Sequence, residues 1–245
     1  MSRNRAAKAQ AKRMNQTVEN TIAFNPASRA APRRIDLIPR TRNQERLVLA
    51  LQNPDTHIVV TVGPAGTGKT YLAMVAAVQA LKQGDCDRIV MTRPAVGVEG
   101  EQHGFLPGNL VAKMEPWTRP LLDVMREFYR PQDIVAMIED QVVEIAPLAF
   151  MRGRTFKNSW IIADEMQNAT PAQVKMLMTR IGTNSKIVIT GDVEQADRNC
   201  GDNGLMDLCA RLQDHSVTGI EVCALESRDV QRHRIIGDVL KLYSR

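Results

Sequence analysis

The 245-residue sequence has no apolar run approaching the roughly 18–20 residues that a membrane span needs, and its first residues lack the apolar stretch of a signal peptide. Its four cysteines, Cys86, Cys200, Cys209 and Cys223, show no C-x-x-C spacing, and no His or Cys pair is set at metal-ligand spacing. These absences argue against a membrane partner, a disulfide scaffold and a zinc module. They leave the expectation of a cytoplasmic protein with reduced, buried thiols. No internal repeat is visible. Hydrophobic residues at 44% and charged residues at 24% are ordinary for a globular fold, and the length suits one substantial α/β domain while being short for two.

What charge there is lies unevenly. Of a net +5, residues 1–34 hold eight Lys/Arg against one acid, Glu19, so the remainder of the chain is slightly acidic. This first stretch is rich in Ala, Arg, Asn and Gln, carries Pro26 and Pro32, and reads as a largely disordered basic tail. It suits either a nucleic-acid arm working through phosphate contacts or a solubilising terminus. The folded domain is expected over 35–245.

The most informative stretch is Gly63-Pro64-Ala65-Gly66-Thr67-Gly68-Lys69-Thr70, which satisfies the phosphate-loop pattern G-x-x-x-x-G-K-S/T at every fixed position. Before it runs the β-branched stretch 57–62, and after it an apolar, helix-forming run that begins at Tyr71. Strand, glycine turn and helix start therefore occur in the order the motif needs. Glycines let successive N–H groups turn toward a phosphate where a Cβ would intrude, and the helix start adds its partial positive charge. Lys69 supplies a mobile charge for β- and γ-phosphates, and the Thr70 hydroxyl is placed to ligate Mg²⁺. A bound nucleoside triphosphate is the expectation.

Around this motif strands alternate with helices. Strands are expected at 57–62, 88–92, 141–145, 159–163, 186–190 and 218–224, and helices at about 45–51, 70–83, 109–129, 131–139, 171–181, 203–213 and 229–243. That alternation predicts a three-layer α/β/α fold with a mostly parallel central sheet. The strand Trp160-Ile161-Ile162-Ala163 ends in Asp164-Glu165, two carboxylates at the sheet edge where open α/β folds bind ligands. Asp164 is the expected Mg²⁺ ligand and Glu165 the group that polarises the attacking water. Another apolar strand runs into Thr190-Gly191-Asp192-Val193-Glu194-Gln195, where the Gln195 amide suits a γ-phosphate sensor.

Taken together, the phosphate loop, Asp164-Glu165-Met166-Gln167 and Gly191-Asp192 with Gln195 resemble the first RecA-like domain of superfamily 1 helicases. Adding Arg93-Pro94-Ala95-Val96, Gly104-Phe105-Leu106-Pro107-Gly108 and Asp229-Val230-Gln231-Arg232-His233, the chain is similar to the PhoH family of ATPases over about residues 40–240. The resemblance implies a RecA-like P-loop NTPase using ATP and Mg²⁺. It implies that Gln44 reads the adenine edge, that Gly63, Pro64, Ala65, Gly66, Thr67, Gly68, Lys69, Thr70 and Tyr71 line the nucleotide, and that Gln167 links nucleotide state to a nucleic-acid side. Arg93, Arg152 and Arg154 take the places of strand-contacting basic residues. The sequence departs from the family pattern at Gln102-His103 and at Val193.

Helicases of this kind complete their cleft with a second RecA-like domain, for which 245 residues leave no room. The resemblance therefore implies that a neighbouring subunit brings an arginine to the γ-phosphate, with Arg228 and Arg232 as candidates. A head-to-tail contact of that sort closes into a ring, and a homo-oligomeric hexamer is the expectation. No spare acidic cluster precedes the core to suggest a PIN-type nuclease. The expected activity is a Mg²⁺-dependent ATPase acting on or with RNA or single-stranded nucleic acid. The alternative is an NTP-dependent switch or scaffold that hydrolyses slowly and acts through protein partners. Glu165 and Gln195 favour the first.

The tail offers a direct test. Deleting residues 1–34 changes the net charge from +5 to −2. If the tail is a nucleic-acid arm, the deletion should lower RNA affinity and flatten the slope of log affinity against log salt. An unchanged slope would identify the tail as a solvated terminus.

Overall fold

A computed structural model of the chain describes residues 35–94, 119–193 and 203–231. The sheet grows outward from β1 (Ile58–Val62), with β5 (Lys186–Gly191) hydrogen-bonded on one side and β6 (Ile220–Ala224) on the other. Beyond β5 lie β4 (Ser159–Ala163), β2 (Arg88–Arg93) and β3 (Val143–Pro147), giving the order β3-β2-β4-β5-β1-β6. Every pairing is parallel, so all six carboxyl ends share one edge.

Central parallel strands are covered on both faces and read as continuous apolar runs, not alternations. Val59, Val60, Ile161, Ile162, Ile187 and Val188 are all fully buried. On one face Ile58, Val60, Val90, Ile161, Ile187 and Ile189 share a core with Val174 and Leu177 of α4 (Pro171–Met178) and Leu205 and Leu208 of α5 (Gly204–Asp214). The alternate residues, Val59, Ile89, Met91, Ile162 and Val188, point the other way. That face is covered by α2 (Lys69–Gln83), which touches β2, β4 and β5, and α1 (Arg42–Gln52) packs beside it. The result is the expected three-layer α/β/α arrangement. A further short helix, α3 (Pro131–Glu139), packs on the edge strand β3. Among the described residues no helix is long and apolar enough to cross a membrane.

Local chemistry sets the element ends. Thr41 caps α1 by accepting from the Gln44 N–H, and Thr170 with Gln173 forms a capping box at the start of α4. Several boundaries differ from the sequence reading, and three of them have a visible local cause. The third strand begins at Val143 because Gln141 adopts φ 58° in the turn after α3, its N–H bonded to the Ile138 carbonyl. Helix α4 stops at Met178, since the following residues leave it for Phe156: Ile181 bridges to Phe156, whose N–H donates to the Arg180 carbonyl. No helix starts at 229: Ser227–Asp229 is a single 3-10 turn, and the Gln231 N–H bonds to the Gly66 carbonyl. The expected tail over 1–34 and the later part of the last helix lie outside the described residues.

At the amino ends of the strands, Lys186 is only 9% exposed. Its Nζ donates to the carbonyls of Leu51 (2.6 Å) and Asn53 (2.8 Å), so the cation sits at the C-terminus of α1. Burial nevertheless pushes its pKa down from 10.5 to about 8. Between those two values the unfolded chain binds a proton that the folded chain has lost, so stability rises with pH through that window. Lys186→Met should abolish the rise. Urea unfolding at about pH 7 and about pH 10 should show the parent gaining stability relative to the variant; parallel pH profiles for the two would refute the assignment.

Candidate active site

The site is built where β1 gives way to α2. Gly63 has φ 147°, and a Cβ there would collide with the backbone carbonyl of Leu225. The close approach ties the loop to β6, whose continuation returns the Leu225 N–H to the Val62 carbonyl at 2.8 Å. Gly68 caps α2 in the left-handed region at φ 88°, a conformation that suits glycine. Lys69 is turned into the loop, its Nζ donating to the carbonyls of Gly63 (2.6 Å) and Pro64 (2.9 Å). The Thr67 hydroxyl also donates to the Pro64 carbonyl at 2.8 Å. Beneath the loop lies Gln44, 3% exposed, which accepts from the Arg40 N–H (2.8 Å) and donates to the Thr67 carbonyl (2.9 Å).

Across a cavity of about 270 Å³ stand the tips of β4 and β5. Asp164 is nearly buried, and its Oδ1 accepts two hydroxyls: Thr70 Oγ1 at 2.8 Å from the start of α2, and Thr190 Oγ1 at 2.5 Å from β5. Its Oδ2 lies 3.4 Å from the Arg93 guanidinium at the end of β2. The same nitrogen lies 2.8 Å from Glu165 Oε1. Glu165 is left-handed at φ 55°, and its Oε2 accepts from Gln167 Nε2 at 2.5 Å. The Gln167 Oε1 accepts in turn from the Asp192 N–H at 3.1 Å. Tips of β2, β4 and β5 are thereby linked by side chains. Tyr71, at the cavity rim, donates to Glu127 Oε2 at 3.0 Å. Its burial, helped by that bond, raises the phenol above its ordinary pKa.

A larger cavity of about 620 Å³ opens at the other end of the sheet, beside Trp160 and Lys186. It contains neither the glycine loop nor a carboxylate pair, so the chemistry belongs to the smaller one.

The family model described as PhoH-like protein matches residues 36–244. The chain belongs to the PhoH-like family. It is 46% identical over 207 residues to a PhoH-like protein of Synechocystis, covering 84% of this chain and 62% of that one. It is likewise 46% identical over 208 residues to a PhoH-like protein of Mycobacterium tuberculosis, covering 84% of this chain and 58% of the relative. The chain thus spans less than two thirds of the length of either relative. Among solved structures, the helicase domain of Pyrococcus furiosus Hef aligns at a TM-score of 0.42 and 15% identity, over 76% of this chain and 39% of that one. That likeness is too slight to carry an argument.

In this PhoH-like chain the phosphate loop, Thr70, Asp164 and Glu165 come together around one cavity. Several of the arginines singled out in the sequence are engaged by acids of this chain. Arg93 lies in the site, on the carboxylates. Arg154 is taken by Glu144, with one bond at 2.8 Å and a second, shorter one, and stacks 4.5 Å over Phe156. That bidentate pair, with Arg88 assisting, holds the Glu144 carboxyl below its usual pKa. Arg228 pairs with Glu226 of its own chain at 3.0 Å on the exposed surface. Arg152 is exposed. Gln195 and Arg232 lie outside the described residues.

Sequence reasoning assigned no role to Thr190 or to Asp192, which is 6% exposed. The available signal was a hydroxyl and a carboxylate flanking Gly191 at the end of a buried strand. Thr190→Val should remove one of the two hydroxyls that orient Asp164. Loss of such a supporting hydrogen bond costs about 10–100-fold in metal affinity. Mg²⁺ titrations of fluorescent-nucleotide binding should show that loss; an unchanged Mg²⁺ dependence would assign Thr190 to packing alone.

Proposed function

We propose that this chain binds ATP with Mg²⁺ and hydrolyses it to ADP and phosphate, in the service of RNA or single-stranded nucleic acid. The observation that carries the reading is the convergence on Asp164 Oδ1 of hydroxyls from the phosphate-loop helix (Thr70, 2.8 Å) and from β5 (Thr190, 2.5 Å), with Glu165 next in the chain. A hydroxyl and a carboxylate are the hard oxygen donors Mg²⁺ prefers, and Thr70 and Asp164 would hold it. When bound, the ion neutralises charge on the β- and γ-phosphates.

The remaining work falls to the chain. Loop N–H groups and the start of α2 receive the phosphates, and Lys69 exchanges the Gly63 and Pro64 carbonyls for phosphate oxygens. Glu165 orients a water and takes its proton as the water oxygen bonds to the γ-phosphorus and the bridging P–O bond breaks toward ADP. Gln195 is the proposed sensor. Gln44 would read adenine by releasing Arg40 and Thr67. Arg152 is the remaining exposed candidate for a nucleic-acid phosphate. In a hexameric ring Arg232 or Arg228 would be the arginine finger, Arg228 on leaving its exposed pair with Glu226.

A second reading, a slowly hydrolysing NTP switch acting through protein partners, is favoured by one observation. The Glu165 carboxylate is held on both oxygens, by Arg93 at 2.8 Å and Gln167 at 2.5 Å. Steady-state ATPase assays on size-characterised protein, with and without single-stranded RNA, separate the two. Hydrolysis stimulated by RNA is expected; slow turnover indifferent to RNA selects the switch. Glu165→Gln should retain nucleotide binding and lower kcat by about 10²–10⁴-fold. Lys69→Ala should lower turnover by about 10²–10³-fold. A Glu165→Gln protein as fast as the parent would falsify the assignment of the base.

A further inference from the structure

Arg93 is the last residue of β2, paired beside β4, so its side chain leaves the sheet next to the Asp164-Glu165 dipeptide. One guanidinium nitrogen spans both carboxylates, at 2.8 Å from Glu165 Oε1 and 3.4 Å from Asp164 Oδ2. The Arg93 side chain is 23% exposed and that of Glu165 42%, so solvent screens the Glu165 half of the contact more than the Asp164 half. The other oxygen of each carboxylate is taken by neutral donors: Thr70 and Thr190 on Asp164, Gln167 on Glu165. Lys69 meanwhile has its Nζ on the carbonyls of Gly63 and Pro64. Arg93 of β2 thus sets a cation against both adjacent anions.

Two consequences follow from elementary electrostatics. Adjacent carboxylates repel, and a cation between them offsets the repulsion. A guanidinium that occupies one oxygen of Asp164 also stands in the way of a divalent cation seeking that carboxylate. The second consequence is geometric. Glu165 is a non-glycine residue at φ 55°, a conformation that persists only where surrounding contacts over-determine it. Arg93 and Gln167 grip its two oxygens from opposite neighbouring strands, β2 and, through Asp192, β5.

We infer that Arg93 is an internal counter-ion for the Asp164–Glu165 pair, competing with the divalent cation for Asp164 and positioning the Glu165 carboxylate. The inference rests on the ATPase reading for the task of Glu165, but the competition stands apart from hydrolysis. Lysine keeps the charge but is shorter and lacks the rigid guanidinium plane that holds this nitrogen between the two carboxylates, so the conservative variant separates the two roles.

The test titrates Mn²⁺, a paramagnetic stand-in for Mg²⁺, into nucleotide-free full-length protein and reads free ion by electron paramagnetic resonance. Arg93→Ala should bind Mn²⁺ at least about tenfold more tightly than the parent. Arg93→Lys should stay near the parent, and adding Asp164→Asn should abolish the gain. Arg93→Gln, neutral but still a donor, repeats the measurement should the alanine variant fold poorly. In ATP turnover Arg93→Ala should lower kcat while leaving KM within about twofold, and Arg93→Lys should recover part of the loss. Unchanged or weaker Mn²⁺ binding in both neutral variants overturns the competition; an unchanged kcat overturns the positioning. A parent that hydrolyses no ATP while Arg93→Ala still gains Mn²⁺ affinity would sink the hydrolase reading and uphold the counter-ion.

Discussion

One carboxylate oxygen carries much of this site. Asp164 Oδ1 receives hydroxyls from Thr70 and Thr190, which belong to different elements and lie 120 residues apart in the sequence. A nearly buried carboxylate is tolerated only when its lone pairs are satisfied, so these two bonds and Arg93 keep the group in place. The same bonds fix the start of α2 against the tips of β4 and β5. A change in what Asp164 holds must therefore be felt by both strands and the helix.

The sheet order makes that convergence possible. With β1 between β5 and β6, and β4 between β5 and β2, the phosphate loop faces the β5 and β4 tips across a short gap. All strands being parallel, every loop that carries chemistry leaves by the same edge. The opposite edge holds a different kind of polar feature. There the Lys186 ammonium caps the C-terminus of α1 under Trp160, with a ring distance of 5.3 Å. One end of the layer gathers the glycine loop and the carboxylates, and the other holds a helix in place.

The strands and the phosphate loop were legible because burial and glycine spacing leave period-dependent traces in the chain. The strands β4 and β5 could be read directly, since the unbroken apolar runs 160–163 and 187–189 are what a strand covered on both faces leaves in the chain. The carboxylate pair was legible for the same reason: it interrupts an apolar run. Pairing of charges was not. Arg93 and Arg154 look alike in sequence, yet one ends on Glu165 and the other on Glu144, because strand order decides which acid lies alongside. Gln141 was hidden too, since its left-handed turn depends on where α3 ends and not on its own type. Thr190 read as one more β-branched strand residue until Asp164 was seen opposite it.

The carbonyls of the phosphate loop have a consequence of their own. Those of Gly63 and Pro64 face Lys69 Nζ, that of Gly66 faces the Gln231 N–H, and that of Thr67 faces Gln44 Nε2. In a trans peptide the N–H points opposite to the carbonyl, so each of these bonds also fixes the direction of the next N–H, that of Ala65, Thr67 or Gly68. Two distant parts of the chain, α1 and the segment after β6, thus fix peptide planes of the loop from outside it. The loop is thus latched by its own chain: anything that draws Lys69 and Gln44 away from these carbonyls also frees the peptide planes they hold, so filling the loop and loosening it would be one event.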